Sequence, residues 1–562
     1  YYKREEVFSK YQKDIAKLRK LKSTDFDAFM KLRDELTEKV ITEAGDVSKY
    51  ASFLEINCIE FCLPEIFFNE DGTLKAHGGL DIVIGNPPWE IWKPNSDEFF
   101  SEYDPSYRSL PNKRAKKELE KEIIAKMPSV AERWQNEFDR IKAGSKYYHS
   151  TDNFHYQTWR VNGRKTSSDF NLYKVSLERF VQLAKDDASF SILVPDNFAT
   201  DNGSTGIRHL VMDHFKLDEF LSFENRKSIF AAVDNRYKFA VLTFSGKKEE
   251  KATAFKAFFY RQDLSDLNNS GIKMAYPFNF LFEMEPERYA MVESRNKTIF
   301  NLFRKIRTTF KPLRDTNLFK VHHDFDKTKD ANKFISIKKA TKQDIPLYEG
   351  KFINQFVIKP EEIQYAISRD TVERKTNGDV NFYRIAFRTI ARATDKRSLI
   401  VTLLPPQTSS VHSLFSVKFA DKVTLKDKIF IVGILNSYVI DFLLRQLISA
   451  NVSLIFVQQM PVPKMDEVKD SSQIVQISKT LLQENKGYYQ DLDELVHGDA
   501  YQGYSHDELI AELNARVMLD FNLTRQEIVT LMHTFESANH TKDVQDETQR
   551  ILDCYDKLSE EK

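Results

Sequence analysis

The chain has 562 residues, with 83 Lys+Arg against 83 Asp+Glu, and 41% of its residues are hydrophobic. At roughly 100–200 residues per domain this length predicts about three or four domains. The composition excludes wholesale disorder, and 17 Gly exclude a collagen-like rod. Three cysteines exclude a disulfide framework and indicate a reducing compartment, so we expect a cytoplasmic protein.

Membrane insertion is not predicted. The most apolar stretch, residues 429–444, is interrupted by polar side chains and is too short to span a bilayer. The zero net charge argues against general coating of polyanions, but it leaves room for a local basic patch.

The first part of the chain predicts helices followed by strands. Residues 1–50 are rich in Lys and Glu, with apolar residues at helical spacing, and residues 112–143 repeat this pattern. Between them, strands are predicted at 54–61 and at 80–84, the second flanked by glycines.

Helices and strands alternate between residues 169 and 244. Amphipathic helices are predicted at 171–185 and 205–215, and apolar strands at 190–194 and 238–244. Strands separated by helices predict a parallel sheet that is covered by helices.

The second half of the chain differs in charge distribution and in predicted secondary structure. Residues 304–342 contain 12 Lys/Arg against 4 Asp/Glu, with phenylalanines between them. Such a basic tract fits a phosphate-facing surface or a solvated linker, and both interpretations stay open. Residues 344–463 are rich in strands and loops, with a helix at 430–447, whereas residues 466–562 are charged and helical.

One motif carries specific chemistry. Directly after the strand at 80–84 come Asn86, Pro87, Pro88 and Trp89, hereafter loop 86–89. Two prolines end the strand and stiffen the loop, and ligands bind at the carboxyl ends of parallel strands. The structural alternative is a simple Pro-Pro turn.

Loop 86–89 suits a planar exocyclic amine. The amide oxygen of Asn86 and the carbonyl of Pro87 can each accept one N–H, and Trp89 offers a face on which a flipped ring can stack. An aromatic amine is a poor base, so its positioning and polarisation matter more than a strong general base. This chemistry needs no metal, and none is predicted: Cys58 and Cys62 lack a nearby His/Cys pair.

Loop 86–89 resembles the catalytic motif of amino-methyltransferases that use S-adenosylmethionine, specifically the N6-adenine DNA branch. Segments 168–173, 190–198 and 227–230 resemble further family motifs in the same order. The resemblance implies that Asn86, Pro87, Pro88 and Trp89 are catalytic, that Asn86 also meets the cofactor, and that Trp89 and Phe230 stack the extruded adenine. For Phe230, a place in the core is the alternative.

Downstream segments resemble the target-recognition domain of large single-chain adenine methyltransferases, namely type IIG restriction-modification enzymes and the methylases of the BREX and DISARM phage-defence systems. The likeness lies in residues 346–356, 383–397 and 404–406, and residues 509–535 resemble the closing helices. It implies double-stranded DNA as partner, with Lys351, Arg388 and Arg392 as DNA contacts.

The fold class implied is α/β: a Rossmann-like methyltransferase sheet, partial in this chain, with an α+β target-recognition domain and a helical tail. We expect a helical segment at 1–50, the catalytic domain at 51–300, the recognition domain at 301–465 and the helical region at 466–562.

The family's cofactor loop, of the type acidic-Pro-x-Cys-Gly-x-Gly, has no match before Asn86. The first residue is Tyr1, so we expect the chain to begin between the cofactor loop and the catalytic loop. The missing segment would lie upstream in the same polypeptide or in another subunit, and a nuclease would also lie outside this chain. Without its neighbour, the strand at 80–84 would be an apolar edge strand.

Other functions stay open. The chain could be a DNA-specificity module that is inactive without its cofactor-binding half. It could also methylate RNA or a protein glutamine, because Asn-Pro-Pro-aromatic loops serve those substrates too.

Overall fold

The computed structural model describes residues 4–43, 57–149, 154–166, 171–231, 233–247, 252–316, 319–322, 324–392, 395–419, 423–448, 451–452, 454–485, 487–498 and 501–560, and the statements below concern these residues. The chain divides into two compact units, Tyr1–Arg295 (unit 1) and Asn296–Lys562 (unit 2).

Unit 1 is built around a six-stranded sheet with the order β1-β4-β6-β5-β7-β8, and β2 and β3 form a separate hairpin. Its strands are β1 Leu80–Gly85, β2 Arg160–Val161, β3 Arg164–Lys165, β4 Ala184–Pro195, β5 Phe215–Glu224, β6 Lys238–Lys247, β7 Ala254–Arg261 and β8 Met274–Pro277.

The sheet is mixed, so the expectation of a wholly parallel sheet is wrong. β1 pairs with β4, and β5 with β7, in parallel, whereas β6 runs antiparallel to both β4 and β5. The sequence pattern missed β5, and the connection from β5 to β6 contains no α-helix among its described residues. A parallel crossover usually needs such a helix, so the chain returns antiparallel instead.

The helices of unit 1 include those that the periodicity predicts. They are Arg4–Ser9, Gln12–Thr24, Phe26–Glu43, Ile59–Cys62, Pro64–Phe67, Ser96–Ser101, Lys113–Lys126, Pro128–Tyr148, Leu172–Leu183, Thr205–His214 and Phe278–Met284. The predicted helices within 1–50, 112–143, 171–185 and 205–215 are confirmed over the described residues.

The strand predicted at 54–61 is wrong where the structure describes it, and residues 54–56 lie outside the described residues. Ile59–Cys62 is a helical turn in which Glu60 is buried and pairs with Arg179, with 3.2 Å between its Oε2 and Nη2. A short apolar run fits either a strand or a buried helix, and this tertiary contact decides for the helix.

The N-terminal helices share one hydrophobic core with the segment that follows them. Ile15, Leu18 and Phe29 pack in a cluster with Phe61 and Phe67. Strand β1 lies at one end of the six-stranded sheet, where it pairs with β4 and has no second neighbour among the described strands. Among the described strands it is therefore an edge strand, and its Ile82 and Ile84 are 65% and 79% exposed.

Unit 2 contains two four-stranded sheets, β10-β14-β11-β17 and β16-β15-β18-β9, and the hairpin β12-β13. Its strands are β9 Phe319–His322, β10 Ile335–Ser336, β11 Asp344–Tyr348, β12 Ile353–Asn354, β13 Val357–Ile358, β14 Tyr365–Ser368, β15 Arg384–Arg388, β16 Val401–Leu404, β17 Ser409–Ser410 and β18 Leu414–Phe419.

The helices of unit 2 dominate its C-terminal part, as predicted. They are Lys297–Thr309, Arg369–Thr376, Leu425–Leu435, Tyr438–Arg445, Leu454–Gln458, Ser471–Gln483, Leu492–Leu495, His506–Asp520, Arg525–His533 and Thr541–Glu560.

The single helix predicted at 430–447 is wrong, because two helices occupy this stretch. Asn436 ends the first helix, and its side-chain amide bonds both the N–H and the C=O of Val401. Ser437 begins the next helix by accepting a hydrogen bond from the Ile440 N–H. Within the described ranges no helix has the length and hydropathy needed to cross a membrane.

Candidate active site

The candidate site lies at one edge of the sheet of unit 1. Because β1, β4 and β5 all point the same way, their carboxyl ends meet at this edge. Loop 86–89 follows β1, Asp196 follows β4 and Asn225 follows β5. Ligands of open α/β sheets bind outside the carboxyl ends of the strands, so this is the edge where a substrate is expected.

Loop 86–89 leaves its polar groups available. Asn86 and Pro88 are exposed, Pro87 is buried and Trp89 is half-buried. No hydrogen bond in the described part of the chain uses the Asn86 side-chain amide or the Pro87 carbonyl. Pro87 anchors the loop, and both oxygen acceptors remain free for a ligand amine.

Asn171 fixes the chain that leaves the loop. Its side-chain nitrogen donates to the carbonyl oxygen of Trp89, while its side-chain oxygen accepts from the Tyr173 N–H at 3.2 Å and begins the helix Leu172–Leu183. The Leu172 N–H also donates to the Glu90 carbonyl at 2.9 Å. This helix therefore sets where the Trp89 backbone lies.

Trp89 belongs to a group of four rings, hereafter the aromatic cluster. Phe230 meets Trp89 edge-on with 6.2 Å between ring centroids, Tyr237 lies nearly parallel to it at 6.3 Å and 12°, and Phe239 lies at 6.5 Å. The structure thus brings Trp89 and Phe230 together from segments 141 positions apart in the sequence. The indole Nε1 of Trp89 is buried without a hydrogen-bond partner among the described residues.

Two residues at the site, Asn225 and Tyr237, were missed by the sequence patterns, and Asn171 lies in segment 168–173 without a predicted role of its own. Asn171 carries a weak signal, since an Asn directly before an amphipathic run is a frequent helix N-cap. Asn225 and Tyr237 carry none, because one Asn or Tyr in a loop has no periodicity that marks it.

A buried carboxyl pair lies at the same edge of the sheet. The Lys238 Nζ is 3.0 Å from Asp196 Oδ2 and 3.8 Å from Glu293 Oε2, and the Tyr260 hydroxyl donates to Glu293. Burial, reinforced by the Asp196 charge, raises the pKa of Glu293 to about 7. Burial and the Glu293 charge also raise the pKa of Tyr260. The Glu293 carboxyl is therefore partly protonated near neutral pH.

The predicted DNA contacts of unit 2 differ in their surroundings. Lys351 and Arg392 are exposed. Arg388 is half-buried, and its guanidinium donates to the carbonyls of Gly350 at 2.8 Å and Ile353 at 2.6 Å. Burial lowers the pKa of Arg388. Arg388 thus binds backbone carbonyls of unit 2 itself. Lys351 and Arg392 are more accessible to a ligand than Arg388.

The basic tract 304–342 is partly neutralised inside unit 2. Lys305 pairs with Glu527 at 2.6 Å, and Lys327 pairs with Glu349 at 2.9 Å. Exposed lysines of the tract without an ion pair in the described residues are Lys311, Lys329, Lys338, Lys339 and Lys342. The surface positive charge is thus smaller than the sequence count indicates.

The described residues do not by themselves form an S-adenosylmethionine site. Asn86 is the one residue of the implied cofactor set that they contain, and β1 has no strand on its outer side among them. A dinucleotide or nucleoside cofactor of such sheets needs a glycine-rich turn after a neighbouring strand.

No protein-family model and no curated protein matches this chain. Among solved structures it is similar to restriction-modification enzymes. One is the type IIG restriction endonuclease BpuSI, with a TM-score of 0.28 and 11% identity over 69% of this chain and 50% of that one. Another is the type IIL enzyme MmeI in complex with DNA, with a TM-score of 0.31 and 10% identity over 70% and 53%.

A DrdV–DNA complex gives a TM-score of 0.32 and 9% identity, covering 72% of this chain and 44% of that one. The chain thus spans about half the length of BpuSI and MmeI. Likeness at this level carries no functional argument.

Proposed function

We propose that this chain is the catalytic and recognition portion of a DNA adenine N6-methyltransferase of a restriction-modification or phage-defence system. The observation that supports this most is the geometry of loop 86–89. The free Asn86 amide and Pro87 carbonyl stand beside the aromatic cluster, at the carboxyl edge of the sheet.

Different groups of the site bind different parts of the substrate base. An adenine extruded from the duplex stacks on Trp89 and Phe230, while its N6 amine donates one N–H to the Asn86 amide oxygen and the other to the Pro87 carbonyl. Both acceptors increase the electron density on N6 and fix its direction. The methyl group comes from S-adenosylmethionine, which the family resemblance implies.

DNA recognition is assigned to unit 2. Five of its exposed basic side chains can contact phosphates or base edges: Lys338, Lys339, Lys342, Lys351 and Arg392. Among the described residues the one ion pair that these side chains make is that of Lys351 with Glu349, at 3.9 Å. Substitution of the phosphate contacts should weaken binding evenly across sequences and should reduce its salt dependence.

The uncovered face of β1 supports a missing cofactor-binding part. Ile82 and Ile84 project from an edge strand of predominantly apolar sequence, and such edges favour association. We infer that another strand, from the same polypeptide or another subunit, pairs with β1. Gel filtration should show self-association of residues 1–562 alone, reduced in the Ile82→Lys/Ile84→Lys variant. A monomer with both isoleucines intact would count against the inference.

The central experiment is the Asn86→Ala substitution, assayed by transfer of labelled methyl groups to duplex DNA. We expect methylation to be lost while DNA binding, measured by gel shift, is retained. Asn268→Ala is the matched control, because Asn268 is an exposed asparagine of the same unit whose side chain has no hydrogen bond to other described residues. Unchanged methylation by Asn86→Ala would refute the assignment.

The alternatives are separated by two measurements. Comparing duplex DNA, RNA and protein as methyl acceptors tests whether RNA or a protein glutamine is the substrate. Calorimetry with S-adenosylmethionine tests whether the chain is only a DNA-specificity module, since only a complete pocket binds the cofactor.

A further inference from the structure

Two of the rings that flank Trp89 come from one irregular connection. Phe230 and Tyr237 both lie between β5 and β6. Within this connection Ser228 adopts a left-handed conformation with a φ of 53°. Backbone of this kind is not held by a regular hydrogen-bond ladder, so its buried peptide groups need other partners.

Asn225 supplies those partners. It is fully buried, and its side-chain oxygen accepts from the Phe230 N–H at 2.9 Å. Its side-chain nitrogen donates to the Phe230 carbonyl at 3.0 Å and to the Val233 carbonyl at 2.8 Å. Its backbone N–H donates to the Tyr237 carbonyl at 2.9 Å. One residue at the end of β5 therefore bonds the backbone of both rings.

The chemistry of this contact is specific to a primary amide. An asparagine side chain offers one acceptor and two donors in a single plane, which matches the Phe230 N–H and the two nearer carbonyls, while the Asp234 carbonyl lies at 3.4 Å. An aspartate would keep the acceptor but would turn a carboxylate oxygen towards the two carbonyls. An alanine would leave buried backbone groups without partners.

Tyr237 differs from the other rings in its accessibility. Its side chain is 47% exposed, and it lies nearly parallel to Trp89. Phe239, by contrast, is buried in the sheet. An incoming planar base can therefore reach Tyr237 directly, while Phe239 packs behind the cluster.

We propose that Asn225 is the positioning residue of the base-binding surface, and that Tyr237 is a third base-contacting ring of that surface beside Trp89 and Phe230. This inference rests on the proposed function, in which a flipped adenine stacks on the cluster. Asn225 touches no substrate; it fixes the backbone from which Phe230 and Tyr237 reach the base.

The first test uses Asn225→Ala and Asn225→Asp in the full chain. We expect kcat for methyl transfer to fall on the order of 10²-fold in both, because small displacements of positioning groups cost about that much. The KM for S-adenosylmethionine should stay unchanged. The fluorescence increase of 2-aminopurine at the target position, which reports base extrusion, should be largely lost.

Tyr276→Phe is the matched control. The Tyr276 hydroxyl is fully buried in the same unit and accepts from the Val292 N–H at 2.8 Å, so this variant also loses a side-chain bond to backbone. We expect it to lose thermal stability but to keep kcat and the 2-aminopurine signal. Equal losses in Tyr276→Phe and Asn225→Ala, at matched fractions folded, would reduce Asn225 to a purely structural residue and overturn the proposal.

A second measurement works without catalysis. The chain has four tryptophans, so replacing Trp92, Trp134 and Trp159 by Phe leaves Trp89 as the only indole. In that background we expect Asn225→Ala to shift Trp89 emission to longer wavelength and to increase its quenching by acrylamide. Unchanged emission would overturn the positioning role. If the parent protein, supplied with the cofactor-binding part whose strand pairs with β1, transfers no methyl group while this shift occurs, the proposed function fails but the positioning role does not.

The role of Tyr237 has its own test. We expect Tyr237→Ala to raise the KM for DNA by roughly tenfold or more, as loss of one base–aromatic stack does, with a smaller change in kcat. Tyr237→Phe keeps the ring and should behave like the parent. An unchanged KM in Tyr237→Ala would remove Tyr237 from the base-binding surface.

Discussion

The carboxyl edge of the sheet in unit 1 and the arginine sites of unit 2 use polar side chains in opposite ways. At the sheet edge, Asn86 is exposed and its amide has no partner in the described residues. In unit 2, Arg384 and Arg397 are almost fully enclosed and are paired with Asp324 and Asp441. Polar groups that the fold leaves unpaired are available for a substrate, whereas groups that the fold has paired stabilise it.

The number of arginines in unit 2 does not by itself identify the residues that contact DNA. Arginines in a segment that resembles a recognition domain invite assignment to DNA, yet Arg384 and Arg397 contact their own unit. Arg397 donates to the Asn436 carbonyl as well as to Asp441, and its guanidinium lies 3.9 Å from the centre of the Tyr438 ring. The two regions can be separated experimentally, because substitutions should affect stability in unit 2 and activity at the sheet edge.

The largest effect on stability is expected from Asp441→Ala. Asp441 is fully buried and accepts hydrogen bonds from the Ser398 and Leu399 N–H groups and from Arg397. Its removal leaves buried positive charge uncompensated, which costs about 3–5 kcal/mol. Chemical denaturation should show this loss, and the exposed control Asp553→Ala should change stability by less than about 0.5 kcal/mol.

A double-mutant cycle can test whether a second buried ion pair of unit 2 also stabilises the fold. Arg384 and Asp324 are 3.0 Å apart and both buried, and Asp324 also accepts from the Ser409 and Ser416 hydroxyls. Arg384→Met and Asp324→Leu should each be strongly destabilising, while the double variant should cost less than their sum by about 1–3 kcal/mol. Simple additivity in the double-mutant cycle would show that the pair is not coupled.

A pH dependence should come from unit 1. The pKa of Glu293 is about 7 in the folded chain against an ordinary value of 4.5, so between these values the folded state keeps a proton that the unfolded state has lost. Stability therefore falls as the pH rises through this window, by at most about 3 kcal/mol, and is level above it.

Glu293→Gln should remove the contribution of Glu293 to the dependence of stability on pH and leave that of other carboxyls, as followed by urea unfolding at several pH values. Glu178 is the matched comparison, because burial raises its pKa to about 7 as well, in the same unit. Glu178→Gln should therefore remove a slope of similar size. A Glu293→Gln variant that keeps the full slope would show that Glu293 does not titrate in that window.

The smallest effect on stability is expected from Asn86→Ala, the variant that should abolish methylation. Since the Asn86 side chain is exposed and has no hydrogen bond to other described residues, its loss should change the free energy of unfolding by less than about 0.5 kcal/mol. Thermal unfolding measures this directly. A loss as large as that of Asp441→Ala would break the contrast between the two regions.

Much of the fold could be predicted because helical periodicity and prolines act locally. The helices Lys113–Lys126 and Leu172–Leu183, and the strand β1 that ends before the prolines of loop 86–89, follow from nearest neighbours in the chain. The predictions of secondary structure were wrong where contacts with residues distant in the sequence determine the local conformation. Glu60 turns residues 59–62 into a helix through Arg179, and Asn436 breaks a predicted helix through Val401.

The sequence by itself determined the chemistry of loop 86–89, because the amide, the two prolines and the indole are adjacent in the chain and need no other residue to define them. Only the tertiary structure decided what surrounds that loop. Asn225 and Tyr237 came to the site through hydrogen bonds and ring contacts that no local pattern encodes. Arg388 and Arg397 were turned inward for the same reason, since side-chain partners depend on which backbone groups the fold brings close.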